Sequence, residues 1–124
     1  MPVLAALTPG AILLVSGSLT LAVELVTVFL RFGLGLRSGK EGSRIGRLTR
    51  GFRIHHGYVG AALLACCVPF GPASASGTAL FFAGTALAAS DLIHHFLVLW
   101  PLTGAPEFHL RYPESALPVN GNRI

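Results

Sequence analysis

Three long apolar segments constrain this chain more than any other feature. They cover residues 11–32, 54–70 and 77–100. A helix of about 20 apolar residues crosses the hydrocarbon core of a bilayer. Only 11% of the 124 residues are charged, against roughly 25% in ordinary soluble domains. The sequence therefore predicts an all-α fold, in which residues 1–124 form a single integral membrane domain built as a three-helix bundle.

Helix-start and helix-stop residues support the ends of these segments. Pro9 and Gly10 precede the first segment, and Gly71 follows the second. Pro101 stops the third segment directly after Trp100, which suits an anchor at the membrane interface. Residues 102–124 are expected to form an irregular, polar C-terminal tail.

Basic residues are concentrated between the first two apolar segments. Seven Lys or Arg residues lie from Arg31 to Arg53, opposed only by Glu41, whereas residues 71–76 between the second and third segments carry no charge. Positively charged loops remain in the cytoplasm, so we expect the N-terminus outside and the C-terminal tail inside. Apolar residues recur at helical spacing among the arginines from residue 43 onward, which indicates a basic amphipathic segment on the membrane surface. A nucleic-acid partner is not expected, because such binding needs a soluble platform.

Carboxylates and imidazoles gather at one level of the predicted bundle. A helix rises about 1.5 Å per residue, so three helices of alternating direction bring these side chains to a similar depth in the cytoplasmic leaflet. A charge in hydrocarbon costs about 2.5 kcal/mol or more, so such residues persist where they pair, bind metal or face water. The candidate metal ligands are Glu24, His55, His56, Asp91, His94 and His95, with His109 in the tail as a further candidate.

The spacing of these residues is typical of a metal site. Asp91 precedes His94 by three residues and His95 by four, which places all three on or beside one helical face. His55 and His56 point about 100° apart on a helix, so we expect one of them to face the site. Carboxylate and imidazole donors suit zinc, copper and non-haem iron. We therefore predict a non-haem metal ion with a redox role, either in an oxidase- or hydroxylase-like centre for a lipid-soluble substrate or in an electron-transfer subunit.

The tail offers a cover for this site. In residues 105–113, Phe108, Leu110 and Tyr112 alternate with polar residues. Such a strip could lie over the cytoplasmic mouth of the bundle as a lid, which would bring His109 to the metal.

Two short motifs are similar to metal sites of membrane enzymes. The sequence Asp91-Leu-Ile-His94-His95 resembles the H-x-x-H-H histidine box of membrane fatty-acid desaturases and hydroxylases, with Asp in the first position. The order Asp91, His95 and a downstream His109 resembles the metal-binding Asp-x-x-x-His and later His of the membrane C subunit of particulate methane monooxygenase. Each resemblance covers only these few residues and implies that they bind a metal ion.

Two other interpretations remain open. One histidine of the second segment and one of the third could bind a b-type haem or a bacteriochlorophyll, with Gly57 and Gly60 leaving room for the macrocycle. The polar cluster could instead tie helices together in a structural accessory subunit without a cofactor. Three helices enclose a metal site poorly, so we expect a homo-oligomer or a subunit of a larger respiratory or photosynthetic complex. The bilayer that holds it is expected to be a bacterial inner membrane.

Overall fold

The described part of the chain is all-helical. The computed structural model describes residues 4–35, 52, 54–71 and 73–111, and these residues contain no strand apart from one isolated bridge between Phe52 and Arg111. A 3₁₀ turn at Leu4–Ala6 precedes three helices, which are α1 (Pro9–Gly33), α2 (His56–Phe70) and α3 (Ala75–Thr103). The predicted all-α fold with three helices is confirmed. The predicted amphipathic segment and the end of the tail lie outside the described residues.

Helix α1 begins at a capped turn and is apolar on nearly all sides. The Thr8 hydroxyl accepts a hydrogen bond from the backbone N–H of Ala11 at 3.2 Å, and Pro9 occupies the first turn, where its missing N–H costs nothing. The helix is α-helical to Val28 and then widens into a π-helical turn at Phe29–Gly33. Only 11% of its most apolar stretch is buried.

Helices α2 and α3 form an antiparallel hairpin with close backbone contact. A Cβ atom added to Gly60 would lie 2.6 Å from the backbone nitrogen of Ala88 and 2.7 Å from the carbonyl oxygen of Gly84. A Cβ atom on Gly84 would lie 2.9 Å from the carbonyl oxygen of Gly60. Small residues allow this close approach of helices. Helix α1 packs on the α3 side of the hairpin.

Helix α3 changes its winding near its C-terminal end. The Ser74 hydroxyl caps the start by accepting a hydrogen bond from the N–H of Gly77 at 2.9 Å. The helix is α-helical at Ala75–Leu92, π-helical at Ile93–Leu99 and α-helical again at Trp100–Thr103. Gly104 ends it with φ +77°, a left-handed conformation that suits glycine.

Two of the helices, α1 and α3, are long and apolar enough to cross a membrane, while α2 has 15 residues and is a shorter apolar helix. Large apolar side chains such as Leu13 and Leu14 are exposed on α1. Among the described residues, the buried apolar side chains are those of Cys67, Ala86 and Leu99, and the buried polar ones are more numerous: Thr20, Glu24, His55, Thr78, Ser90, Asp91, His94 and His95. In soluble proteins, buried side chains are mostly apolar, and charged residues are almost never fully buried unless they are paired. Here the apolar side chains lie mostly outside and the polar ones inside.

Candidate metal centre

Three buried side chains converge where the start of α2 meets the C-terminal part of α3. His55 Nδ1 lies 3.0 Å from His95 Nε2. Asp91 Oδ1 lies 3.9 Å from His55 Nδ1 and 3.7 Å from His95 Nε2. Each residue offers one ligand atom, and these atoms all lie within 4.8 Å of one another, so the group could hold a metal ion.

The hydrogen-bond partners of the two imidazoles indicate the tautomer of each ring in its neutral form. His95 Nδ1 lies 2.6 Å from the carbonyl oxygen of Pro106, and His55 Nε2 lies 3.2 Å from the carbonyl oxygen of His109. A carbonyl oxygen only accepts hydrogen bonds, so in the neutral rings these nitrogens are the donors. The inner nitrogens, His55 Nδ1 and His95 Nε2, then carry lone pairs that face each other.

Asp91 adds a third acceptor to this group. Its Oδ1 atom is buried and has no hydrogen-bond partner. Buried polar atoms are nearly always paired, so three acceptor atoms that face one another need a positive charge between them. Ligating histidines usually donate their second N–H to a carbonyl or a carboxylate, which is the arrangement of both rings here.

His56 lies beside the same carboxylate. Its Nδ1 atom is 3.2 Å from Asp91 Oδ1, without the geometry of a hydrogen bond, and its Nε2 atom is buried without a partner. The sequence interpretation expected only one of the adjacent histidines to face the site, because it placed both on a helix. The structure differs because α2 starts at His56, and His55 precedes it in an extended conformation with ψ 144°. Both rings therefore reach Asp91.

Gly57 allows Asp91 to lie directly against the backbone of α2. A Cβ atom at Gly57 would be 2.5 Å from Asp91 Oδ2 and 2.9 Å from Asp91 Cβ. Any larger residue at this position would displace the carboxylate. The glycine thus sets how closely Asp91 approaches the two histidines at the start of α2.

Glu24 and His94 form a separate buried pair between α1 and α3. Glu24 Oε1 lies 2.9 Å from His94 Nδ1, and the Ser90 hydroxyl donates to Glu24 Oε2 at 3.0 Å. Both carboxylate oxygens are therefore satisfied by protein groups. The structure groups these two predicted ligands with each other and not with Asp91.

The π-helical part of α3 carries both His94 and His95. The N–H of Trp100 bonds to the carbonyl oxygen of His95, five residues earlier. Single π turns inside α-helices are frequent at functional sites. Although adjacent, His94 is directed to α1, and His95 to the start of α2.

Residues after α3 cover the site. Phe108 stacks on the His55 ring, with 4.9 Å between centroids and 26° between planes, and meets the His95 ring edge-on at 5.1 Å. His109 is exposed, and it contacts the site through its backbone carbonyl oxygen, which lies 3.2 Å from His55 Nε2. The alternation that predicted a covering strip did contain Phe108, but no sequence signal marked Ser90 or the two carbonyl contacts.

Comparison of the chain with known protein families, curated proteins and solved structures finds no match.

Proposed function

We propose that this chain is a small multi-pass membrane protein that binds one non-haem metal ion and uses it in redox chemistry. The ligands are His55 Nδ1, His95 Nε2 and Asp91 Oδ1, and His56 Nδ1 is a fourth donor close to the same carboxylate. Two histidines and one carboxylate that leave further coordination positions open are the donor set of non-haem iron(II) oxygenases. Iron is therefore the first candidate, with copper and zinc as the other ions that such donors accept.

The main support for this proposal is that three hydrogen-bond acceptor atoms, one each from His55, His95 and Asp91, lie close together. Backbone carbonyls hold the outer nitrogens of His55 and His95, so the inner nitrogens face Asp91 Oδ1, which has no hydrogen-bond partner although His56 Nδ1 lies 3.2 Å away. Neighbouring ligands around an ion with bonds of about 2.0–2.1 Å lie about 3.0 Å apart in octahedral geometry and about 3.3 Å apart in tetrahedral geometry. The three separations in the site are 3.0, 3.7 and 3.9 Å, so the two longer ones would have to shorten by less than about 1 Å. Small side-chain movements would suffice to bind an ion.

The same geometry favours a non-haem ion over a haem or bacteriochlorophyll. A bis-histidine haem needs the macrocycle between its two axial nitrogens, but those of His55 and His95 are 3.0 Å apart with Asp91 beside them. Gly57 and Gly60, which could have admitted a ring, are packed against α3 instead. Asp91 has a direct role as ligand only with a non-haem ion.

The membrane part of the proposal is supported by the surface of the helices. Leu13, Leu14, Leu21 and Leu25 on α1 are each at least 60% exposed. A continuous apolar surface of this kind marks a contact with lipid or with another protein. We place α1, α2 and α3 in a bilayer such as a bacterial inner membrane, where lipid and further copies or other subunits cover these faces.

An oxidase- or hydroxylase-like role fits the donor set better than simple electron transfer. His55, His95 and Asp91 would hold the ion through three protein donors, and an iron bound in this way would have further positions open for dioxygen or a substrate. The site lies among helices whose outer surfaces are apolar, so a lipid-soluble substrate could reach it from the bilayer.

Metal content after purification in detergent tests the proposal. We expect about one iron, copper or zinc ion per chain by elemental analysis, as for a mononuclear site of this donor type. His55→Gln and His95→Gln should each lose the ion. The matched control is His109→Gln, because this residue contributes its backbone carbonyl and keeps it in the variant.

A wild-type protein without metal, or equal loss in all three variants, would refute the assignment. A Soret band would instead establish haem or pigment.

The membrane assignment has its own test. The full chain should remain in the membrane fraction after an alkaline carbonate wash, and a fluorescent protein fused to its C-terminus should fold in the cytoplasm. Release by carbonate would contradict integration, and a non-fluorescent fusion would contradict the predicted orientation.

A further inference from the structure

The segment after α3 contacts the proposed ligands, and it is also joined to the end of α1 by an ion pair between Glu107 and Arg31. We propose that Gly104–His109 is a lid over the metal site and that the ion pair between Arg31 and Glu107 is its latch. The latch residues are positioning residues, which control how fast the ion enters and leaves without touching it. This inference rests on the proposed metal-binding function.

The lid completes the surroundings of two proposed ligands. Its Pro106 carbonyl accepts from His95, its His109 carbonyl accepts from His55, and its Phe108 ring covers both imidazoles. If the lid moved away, both rings would lose the hydrogen bonds that orient their inner nitrogens toward the site. They would also lose the aromatic ring that shields them from water.

The latch joins this lid to the end of α1. Arg31 Nη2 donates to Glu107 Oε1 at 2.7 Å, and the two side chains are 15% and 30% exposed. Arg31 lies in the π-helical turn of α1, so this ion pair ties the lid to the end of that helix. Glu107 lies in sequence between Pro106 and His109, whose carbonyl oxygens accept hydrogen bonds from the two histidines. The ion pair therefore acts on the part of the lid that contacts the site.

The backbone on both sides of the latch is suited to a movable segment. Glu107 has φ +50°, a left-handed conformation that a residue with a side chain rarely adopts. Gly104 at the start of the lid has φ +77°, which glycine adopts without strain. The ion pair helps hold Glu107 in this conformation, and Gly104 provides a hinge about which the lid can open.

The test measures release of a metal probe from the full-length protein in detergent. The purified protein is loaded with Co²⁺, excess EDTA is added, and the decay of the Co²⁺ absorption gives the release rate. Loss of groups that orient metal ligands weakens binding about ten- to a hundredfold, and we expect release from Glu107→Gln and Arg31→Gln to be faster by a similar factor. Arg31→Lys should largely restore the wild-type rate. The control Gly17→Ala, at a position of α1 where a Cβ atom meets nothing within 4 Å, should not change it.

A second measurement does not depend on metal. The N–H of His109 bonds to the carbonyl oxygen of Glu107 within the lid at 2.9 Å. In the metal-free protein, hydrogen exchange of the lid amides should be faster in Glu107→Gln and Arg31→Gln than in the wild type. Unchanged exchange would overturn the latch whatever the metal result. Full Co²⁺ loading with wild-type release rates in both variants would also overturn it while leaving the proposed function intact. Absence of Co²⁺ binding in the wild type would count against the proposed function itself.

Discussion

His55 Nδ1 and His95 Nε2 face each other at 3.0 Å, while the opposite nitrogen of each ring bonds to a backbone carbonyl. In the neutral rings, the two facing atoms are both acceptors. A proton or a metal ion must lie between them for the pair to be stable. The unpartnered oxygen of Asp91 favours the metal ion, since it brings a negative charge to the same point.

Asp91→Asn should separate metal binding from stability. The variant loses the anionic ligand, so metal affinity should fall by more than the ten- to hundredfold typical of losing a group that only orients a ligand. The metal-free protein should become more stable by about 1–3 kcal/mol, because an amide N–H₂ can donate to a histidine lone pair where the buried oxygen of Asp91 had no partner. Thermal unfolding in the presence of chelator and elemental analysis check the two parts. A less stable metal-free variant would instead indicate that Asp91 pairs with a protonated histidine.

Glu24→Ala should lower stability and leave the metal site filled. The substitution removes the partner of His94 Nδ1 and Ser90 Oγ, which are buried between α1 and α3. Each buried group left unpaired costs about 1–3 kcal/mol, and chemical unfolding in detergent measures the loss. Leu21→Ala on the same helix is the control, because Leu21 is 60% exposed. Loss of metal in Glu24→Ala would show that this carboxylate belongs to the metal centre.

Gly57→Ala should weaken metal binding through Asp91. The new methyl group would lie 2.5 Å from Asp91 Oδ2, so the carboxylate must move. We expect affinity to fall about ten- to a hundredfold, measured by competition with a chromophoric chelator. The control is Gly17→Ala in α1, where a Cβ atom meets nothing within 4 Å. The control should bind normally and gain about 0.5–1 kcal/mol of stability from the better helix former. Normal affinity in Gly57→Ala would place Asp91 outside the ligand set.

Gly60→Ala should affect the whole hairpin. Its methyl group would meet the backbone of α3 at Ala88 and Gly84, and backbone cannot yield as a flexible side chain can. Overpacking of this kind costs about 1–3 kcal/mol, so both the unfolding temperature and metal occupancy should drop. Unchanged stability would mean that α2 and α3 do not cross at these glycines.

Some features of the fold and the site follow from the sequence because they depend on local spacing. Three apolar segments predict three helices, and the cost of burying charge in hydrocarbon makes the acids and histidines within them stand out. Asp91 and His95 share a helical face because they are four residues apart. The observed helices begin and end within about three residues of the segments read from hydropathy, as expected for helix ends.

Partnerships across helices could not be predicted in the same way. Sequence spacing does not show that Glu24 pairs with His94 while Asp91 lies with His55 and His95, because that choice depends on how α1 and the hairpin pack against α3. Only the tertiary structure decided it, through the close Gly60–Gly84 crossing and the π-helical turn that separates the directions of His94 and His95. The contacts of the lid could not be predicted either, because every residue has a backbone carbonyl. Only folding brings those of Pro106 and His109 to the rings of His95 and His55. The sequence by itself determined which chemical groups the helices carry, and tertiary packing determined which of those groups meet.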